Sequence, residues 1–165
     1  MTLDKARERM AEFLRKQDID AVCAWPQEAR VRRDHVAAAV SLRACQGGPG
    51  GFQDYLGERY DQETGQWEEL YGRKVKLTFG LDLYASKGCG AAGLRDAFDR
   101  LSQVLNREGP EGLKVKELSC GAVRFEEGTG LFCCPVEAVC EGYLYAVAQE
   151  GGAFLEVIVR GDGRI

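Results

Sequence analysis

Between Val75 and Leu83 the chain alternates without a break: Val75, Leu77, Phe79, Leu81 and Leu83 are apolar, and Lys76, Thr78, Gly80 and Asp82 separate them before Tyr84. A period of two predicts a strand with one face buried and one face toward water. Upstream, Leu3, Ala6, Met10, Phe13 and Leu14 recur at helical spacing, which predicts a helix over about residues 3–17, ended by Asp18-Ile19-Asp20. A short apolar strand is expected from Ala21 to Trp25, stopped by Pro26. Val36, Ala38, Val40, Leu42 and Ala44 then alternate with Ala37, Ala39, Ser41, Arg43 and Cys45, a second strand that Gly47-Gly48-Pro49-Gly50-Gly51 should end.

The stretch Phe52–Tyr84 leads into the central strand. Its first half is acidic and aromatic, and Gln62-Glu63-Thr64-Gly65-Gln66 reads as a turn. Residues 52–73 are therefore expected to form an arm or hairpin that projects from the sheet. Leu94, Ala97, Phe98, Leu101, Val104 and Leu105 predict a second amphipathic helix, closed by Gly109-Pro110. A strand follows from Leu113 to about Leu118, then a turn at Glu126–Gly130, then a long strand-like segment from Leu131 to Ala148. In that segment Phe132, Cys134, Val136, Ala138 and Cys140 share one parity, and Tyr143, Tyr145 and Val147 the other. Pro135 and the change at Glu141-Gly142 predict an edge position or a bulge. Ala153, Leu155, Val157 and Val159 predict a short last strand within the C-terminal segment 149–165.

This order predicts an α+β fold: a single, mostly antiparallel sheet of about five to six strands, two helices on one face, and the projecting arm. The 165 residues suit one domain with a proper core.

Composition adds exclusions rather than an activity. Hydrophobic residues at 45% and charged residues at 29% are ordinary for a globular chain. A net charge of -4 gives no reason to expect a nucleic-acid binder, which needs clustered Lys and Arg. The charged, amphipathic N-terminal stretch does not resemble a signal peptide, and no apolar run approaches a membrane span, so synthesis in the cytoplasm is expected. Seven cysteines (23, 45, 89, 120, 133, 134 and 140) include no Cys-x-x-Cys, and the one histidine, His35, is far in sequence from any cysteine pair. That pattern fits buried free thiols acting as small hydrophobes better than a zinc site. Arg30, Arg32 and Arg33 lie in an exposed loop, read either as a contact for an acidic partner or as a solvated turn.

Gly88-Cys89-Gly90-Ala91-Ala92-Gly93 fits G-x-G-x-x-G between a strand and a helix, with Glu117 near the end of the next strand. In a dinucleotide-binding fold such glycines let a pyrophosphate approach a helix N-terminus. Against this, the preceding strand alternates cleanly, three residues separate it from the first glycine, and helix-strand alternation stops after one unit. The ordinary loop reading is preferred. No Gly-x-Ser-x-Gly elbow surrounds a serine, Cys133 and Cys134 should point to opposite faces of a strand, and Arg160-Gly161-Asp162 is a chance tripeptide. No catalytic residue, cofactor or metal is expected. The arm keeps the chain's most distinctive chemistry: Asp54, Glu58, Asp61, Glu63, Glu68 and Glu69, with Tyr55, Tyr60, Trp67 and Tyr71 available for cross-strand pairs or an interface.

In the Trp25-Pro26 strand end, the stretch GPGGFQDYLGERYDQETGQWEELYGRKVKLTFGLDLY (49–84), LKVKELSCG (113–121) and the order of elements, the chain resembles the tail terminator, or tail completion, proteins of tailed bacteriophages, as found in prophages of Gram-positive bacteria. The similarity covers about the first 148 residues; the cysteines and the C-terminal segment have no place in it. It implies a non-enzymatic subunit that forms a ring, a hexamer, at the head-proximal end of the tail tube. Its partners would be further copies of itself, the tail tube protein and a head-tail connector or neck protein. DNA would pass without specific binding, and no membrane is involved. The protein would assemble in the host cytoplasm and end in the virion tail. Tyr55, Tyr60, Trp67 and Tyr71, with Arg30, Arg32 and Arg33, become candidate interface residues. Glu58, Asp61, Glu63, Glu68 and Glu69 become an acidic lumen or arm. Two other readings stay open: a small nucleotide-binding protein or enzyme using the Gly88–Gly93 loop, and another head-tail connector or baseplate component.

Overall fold

A computed structural model describes residues 3–23, 35–49, 54–148 and 154–160. Its elements are α1 (Leu3–Lys16), β1 (Ala21–Val22), β2 (Ala37–Pro49), β3 (Tyr55–Asp61), β4 (Gln66–Ala85), α2 (Gly90–Arg107), β5 (Lys114–Cys120), β6 (Arg124–Glu126), β7 (Leu131–Cys134), β8 (Val136–Ala148) and β9 (Phe154–Arg160). The fold is α+β, with one open, mixed, mostly antiparallel sheet and two helices. Counting the two-residue β1, nine strands are present among the described residues. The excess over the expected five or six comes from the short β6, from the arm strand β3, and from Pro135 dividing one long strand into β7 and β8.

The alternating run is the second half of β4, a strand of 20 residues that forms the spine of the sheet. Along one edge β4 pairs with β2 and then with β3; along the other it pairs with β7 and then with β8. Beyond β8 lie β5 and β9, and beyond β7 lies β6. All these pairings are antiparallel; only β1, beside β2, is parallel.

Val75, Leu77, Phe79, Leu81, Leu83 and Ala85 of β4 are buried under the helices with Val136, Ala138 and Cys140 of the neighbouring strand. From α1, Ala6, Met10, Ala11 and Leu14 enter the same core; from α2, Leu94, Leu101 and Leu105 do so. Each set falls on one stripe of its helix, the pattern that lets a helix settle on an apolar sheet face. Among the described residues no helix is long and apolar enough to cross a membrane.

Three expectations need correction. β2 does not stop before the glycines: Gly47, Gly48 and Pro49 still pair with Val75, Lys74 and Arg73. Glycine keeps its backbone donor and acceptor, so it continues a ladder where neighbouring strands hold it, and Pro49 sits at the strand's last position, where a missing N–H is tolerated. A bulge between Leu42 and Ala44 also shifts the β2 register, setting Ala44 opposite Thr78 and Cys45 opposite Leu77. Finally, Pro135 and Gly142 do not mark an edge, because β8 lies between β4 and the β5–β9 pair, and its register with β4 is unbroken from Gly80–Glu137 to Glu69–Ala148. Pro135 falls between the Leu83–Cys134 and Gly80–Glu137 pairs, and there the Asp82 carboxylate accepts the Val136 N–H at 3.1 Å. At Gly142 it is the outer neighbour that changes, from β5, which pairs through Glu141, to β9, which begins at Tyr143.

Trp25-Pro26, Arg30, Arg32, Arg33, the glycines at 50 and 51, the start of the arm at 52, Ala153 and the Arg160-Gly161-Asp162 end fall wholly or partly outside the described residues.

Candidate functional site

The arm is a hairpin built from its turn outward. Asp61 accepts the Glu63 N–H at 2.9 Å and the Thr64 hydroxyl at 2.7 Å, and its carbonyl accepts the Gly65 N–H at 2.8 Å. Gly65 takes φ 68°, a left-handed conformation that glycine adopts at no steric cost. The hydrogen bond from Thr64, then that from the Glu63 amide, holds the Asp61 carboxyl below its ordinary range. Asp61 is thus occupied by the turn.

The register then sets Tyr60 opposite Trp67, Arg59 opposite Glu68, Glu58 opposite Glu69 and, across a bulge, Tyr55 opposite Tyr71. Alternation divides these pairs between two faces. On one face the Tyr60 and Trp67 rings meet edge to face at 5.4 Å, and so do Tyr55 and Tyr71. Between the aromatic pairs Glu58 and Glu69 confront each other, like charges directly opposite in a ladder. Each accepts a tyrosine hydroxyl: Tyr55 Oη donates to Glu58 at 3.4 Å and Tyr71 Oη to Glu69 at 2.8 Å. The bond to Glu69 is the main reason the Tyr71 phenol lies above its ordinary value.

This face continues the one that the helices cover farther along β4. Burial begins at Val75, however, and Trp67, Glu69 and Arg73 are exposed. Trp67 is 68% and Tyr60 50% exposed, the two most exposed large hydrophobic residues among those described. On the opposite face Arg59 donates from Nε and Nη2 to one Glu68 oxygen at 3.1 and 2.7 Å, and Leu70 is buried against Leu56 and Tyr143. The arm is therefore not a free hairpin: Glu69, Leu70 and Tyr71 also pair with Ala148, Val147 and Ala146.

The predicted acids separate into two kinds. Glu58, Glu63 and Glu69 are exposed; Asp61 organises the turn and Glu68 holds Arg59. Arg30, Arg32 and Arg33 lie outside the described residues.

A second polar surface, not anticipated from the sequence, covers the sheet face away from the helices. Arg43, the extra residue of the β2 bulge, crosses β4 to reach Asp82 at 2.6 Å and Glu137 at 3.1 Å. Gly80 makes that crossing possible: a Cβ there would meet Arg43 Nε at 2.6 Å and Ser41 Oγ at 2.5 Å. Farther along, Glu141 takes Lys74 and Lys116, each at 3.1 Å, and Lys76 reaches Glu117 at 3.7 Å. The two lysines hold the Glu141 carboxyl below its ordinary range. Lys74 and Lys76 share the parity opposite to the buried run, but their partners come from strands far away in sequence. Gly80→Val should displace Arg43 and destabilise the fold by about 1–3 kcal/mol, the usual cost of overpacking, measured by urea unfolding.

The cysteines divide by depth. Cys133, Cys134 and Cys140 are buried, Cys23 and Cys89 half-buried, and Cys45 and Cys120 exposed, so the expectation of mostly buried thiols holds for only part of the set. Burial pushes the Cys140 thiol up to about 12 and Cys133 up to about 11. Because the thiolate is the reactive form, iodoacetamide at pH 8 should label Cys45 and Cys120 in the native protein. Cys133 and Cys140 should stay unlabelled until urea is added, as followed by peptide mass spectrometry.

The Gly88–Gly93 loop opens α2 with Gly90 at φ 61°, and Cys89 at its N-cap makes no side-chain capping bond. The strand before it, β4, pairs antiparallel with β2, β3, β7 and β8, and β5 after the helix lies beside β8. β5 therefore runs parallel to β4 but with antiparallel β8 between them, so the adjacent parallel strand pair that gives the glycine fingerprint its meaning is absent among the described residues. Nor do those residues contain a group of three or more His, Cys, Asp or Glu placed to hold a metal ion. Compared with models of known protein families the chain matches none, and no curated protein is significantly similar to it.

Proposed function

We propose that this chain is a structural assembly subunit, a tail terminator of a tailed phage or prophage that forms a ring, a hexamer, on the tail tube and joins it to the head or neck. One observation carries the assembly reading: a Tyr60–Trp67 pair standing exposed on the part of the sheet beyond the helices. Aromatic anchors are what protein interfaces bury at their centres, and an isolated subunit leaves half or more of the surface of each of these two residues in water. The assignment to phage tails rests on the resemblance in residues 49–84 and 113–121. In this reading the subunit assembles in the host cytoplasm, meets the tail tube protein on one side and a connector or neck protein on the other, and ends in the virion tail.

Light scattering coupled to size exclusion, with electron microscopy of the peak, tests it. A closed ring that appears or grows with concentration supports the reading; a strict monomer at high concentration, and with tail tubes present, overturns it. Glu58 and Glu69 share the face of the Tyr60 and Trp67 rings, and in this proposal that face runs on from the contact toward a lumen, where its exposed acids repel DNA phosphates and let the genome pass without sticking. Changing Glu58, Glu63 and Glu69 to Gln should leave the ring intact and slow DNA ejection from assembled particles. Loss of the ring instead would put these acids themselves inside the contact between subunits. Asp61 and Glu68 are left alone in this experiment, since they hold the hairpin together.

A further inference from the structure

The end of the sheet that carries the arm is four strands wide, in the order β3, β4, β8, β9. Among the described residues β3 pairs only with β4, and β9 only with β8, so this end has two open edges. An open edge presents a row of unpaired N–H and C=O groups, which proteins protect with proline, lysine, short strands or a cover. Sequence protection is weak in β9: Phe154, Leu155, Val157, Ile158 and Val159 make it largely apolar, and it has neither proline nor lysine.

We infer that the β9 edge of one copy pairs with the β3 edge of the next, so that copies join head to tail by extending one sheet. Three features select a second copy as the occupant. Both strands are seven residues long. Because each neighbour in the order β3, β4, β8, β9 is antiparallel to the last, β3 and β9 run in opposite directions. Copies set side by side in the same orientation would therefore meet as an antiparallel ladder, the more stable kind. In the full-length register Glu58 stands opposite Val157, and Arg59 opposite Glu156, an opposite-charge pair. The midpoints, Glu58 and Val157, also lie outside the irregularities at Tyr55/Gly57 and at Ala146/Ala148. Symmetric pairing of β3 with β3 about its midpoint would instead set Glu58 against Glu58. A head-to-tail contact uses two different surfaces, so it propagates and closes as a ring when its rotation allows. The inference rests on the assembly reading and names the contact that makes the ring.

The test is cross-linking in a background with Ser at positions 23, 45, 89 and 120. Glu58→Cys with Val157→Cys, treated with a short bismaleimide, should give a ladder of covalent multimers on a denaturing gel, and either substitution alone should give none. Dimers from Glu58→Cys alone would overturn the head-to-tail arrangement in favour of a symmetric one. If light scattering shows assembly but the double variant gives no ladder, the edge contact is wrong while the assembly reading stands. If the protein is a monomer and gives no ladder, both fall. Hydrogen exchange on the unmodified chain provides a second measurement that needs no substitution. Amides in 55–61 and 154–160 should gain protection as concentration rises, and unchanged exchange in an assembled sample would overturn the inference.

Discussion

Phe79→Ala is expected to lower the unfolding free energy by about 3–5 kcal/mol, the range for truncating a buried aromatic residue. Phe79 is fully buried on β4, with Leu42 of β2 on one side and Ala138 of β8 on the other. It belongs to the core that also contains Met10 and Leu14 of α1 and Leu101 of α2. Removing the ring leaves a cavity at a place that the strands on both sides hold fixed, because β4 is paired there along both edges. A domain of this kind is stable by about 5–15 kcal/mol, so the variant should lose a large part of its margin. At roughly 2–4 °C per kcal/mol for a chain of this size, the melting temperature should fall by about 6–20 °C. Urea unfolding by circular dichroism measures the effect. A loss under about 1 kcal/mol would mean that the helices close over the gap, or that they do not rest on this face of β4.

Phe79 also shows why so much of the fold is legible in the chain. Where one face of an element is buried, the period of its apolar residues is set by geometry, and both helices and the alternating half of β4 declare themselves this way. What escapes is set by partners distant in sequence. Gly47 and Gly48 look like a break because glycine has no side chain to report a face, yet β4 holds them in the ladder. Pro135 looks like an edge marker, but the ladder to β4 resumes beyond it on the same register, and the carboxylate of Asp82, a residue more than fifty positions earlier, accepts the next amide. Arg43 and Glu137 seem unrelated until the bulge in β2 and the bare Gly80 let them meet. The arm was legible as acid, aromatic and turn residues. Its division into an exposed aromatic face and a face closed by Arg59, Glu68 and Leu70 depends on register, which a bulge at Tyr55/Gly57 shifts.

The same division makes the second large effect specific. Trp67→Ala with Tyr60→Ala should weaken self-assembly by about 30-fold or more, since a central aromatic anchor contributes about 2 kcal/mol or more to an interface. The cost to the isolated subunit should be smaller. These rings are exposed and pack on each other, so the fold loses mainly one edge-to-face pair, worth about 0.5–1.5 kcal/mol. Assembly and stability should therefore separate: light scattering over a dilution series should shift strongly while thermal unfolding of the dilute protein moves by a few degrees. Glu63→Gln is the control, because Glu63 is exposed in the turn and its backbone amide, not its side chain, bonds Asp61. Equal losses of assembly and stability would make the Tyr60–Trp67 pair a clasp of the hairpin. A stable subunit that no longer associates would make it the anchor of the contact between subunits, because folding would then have no need for the rings that association requires.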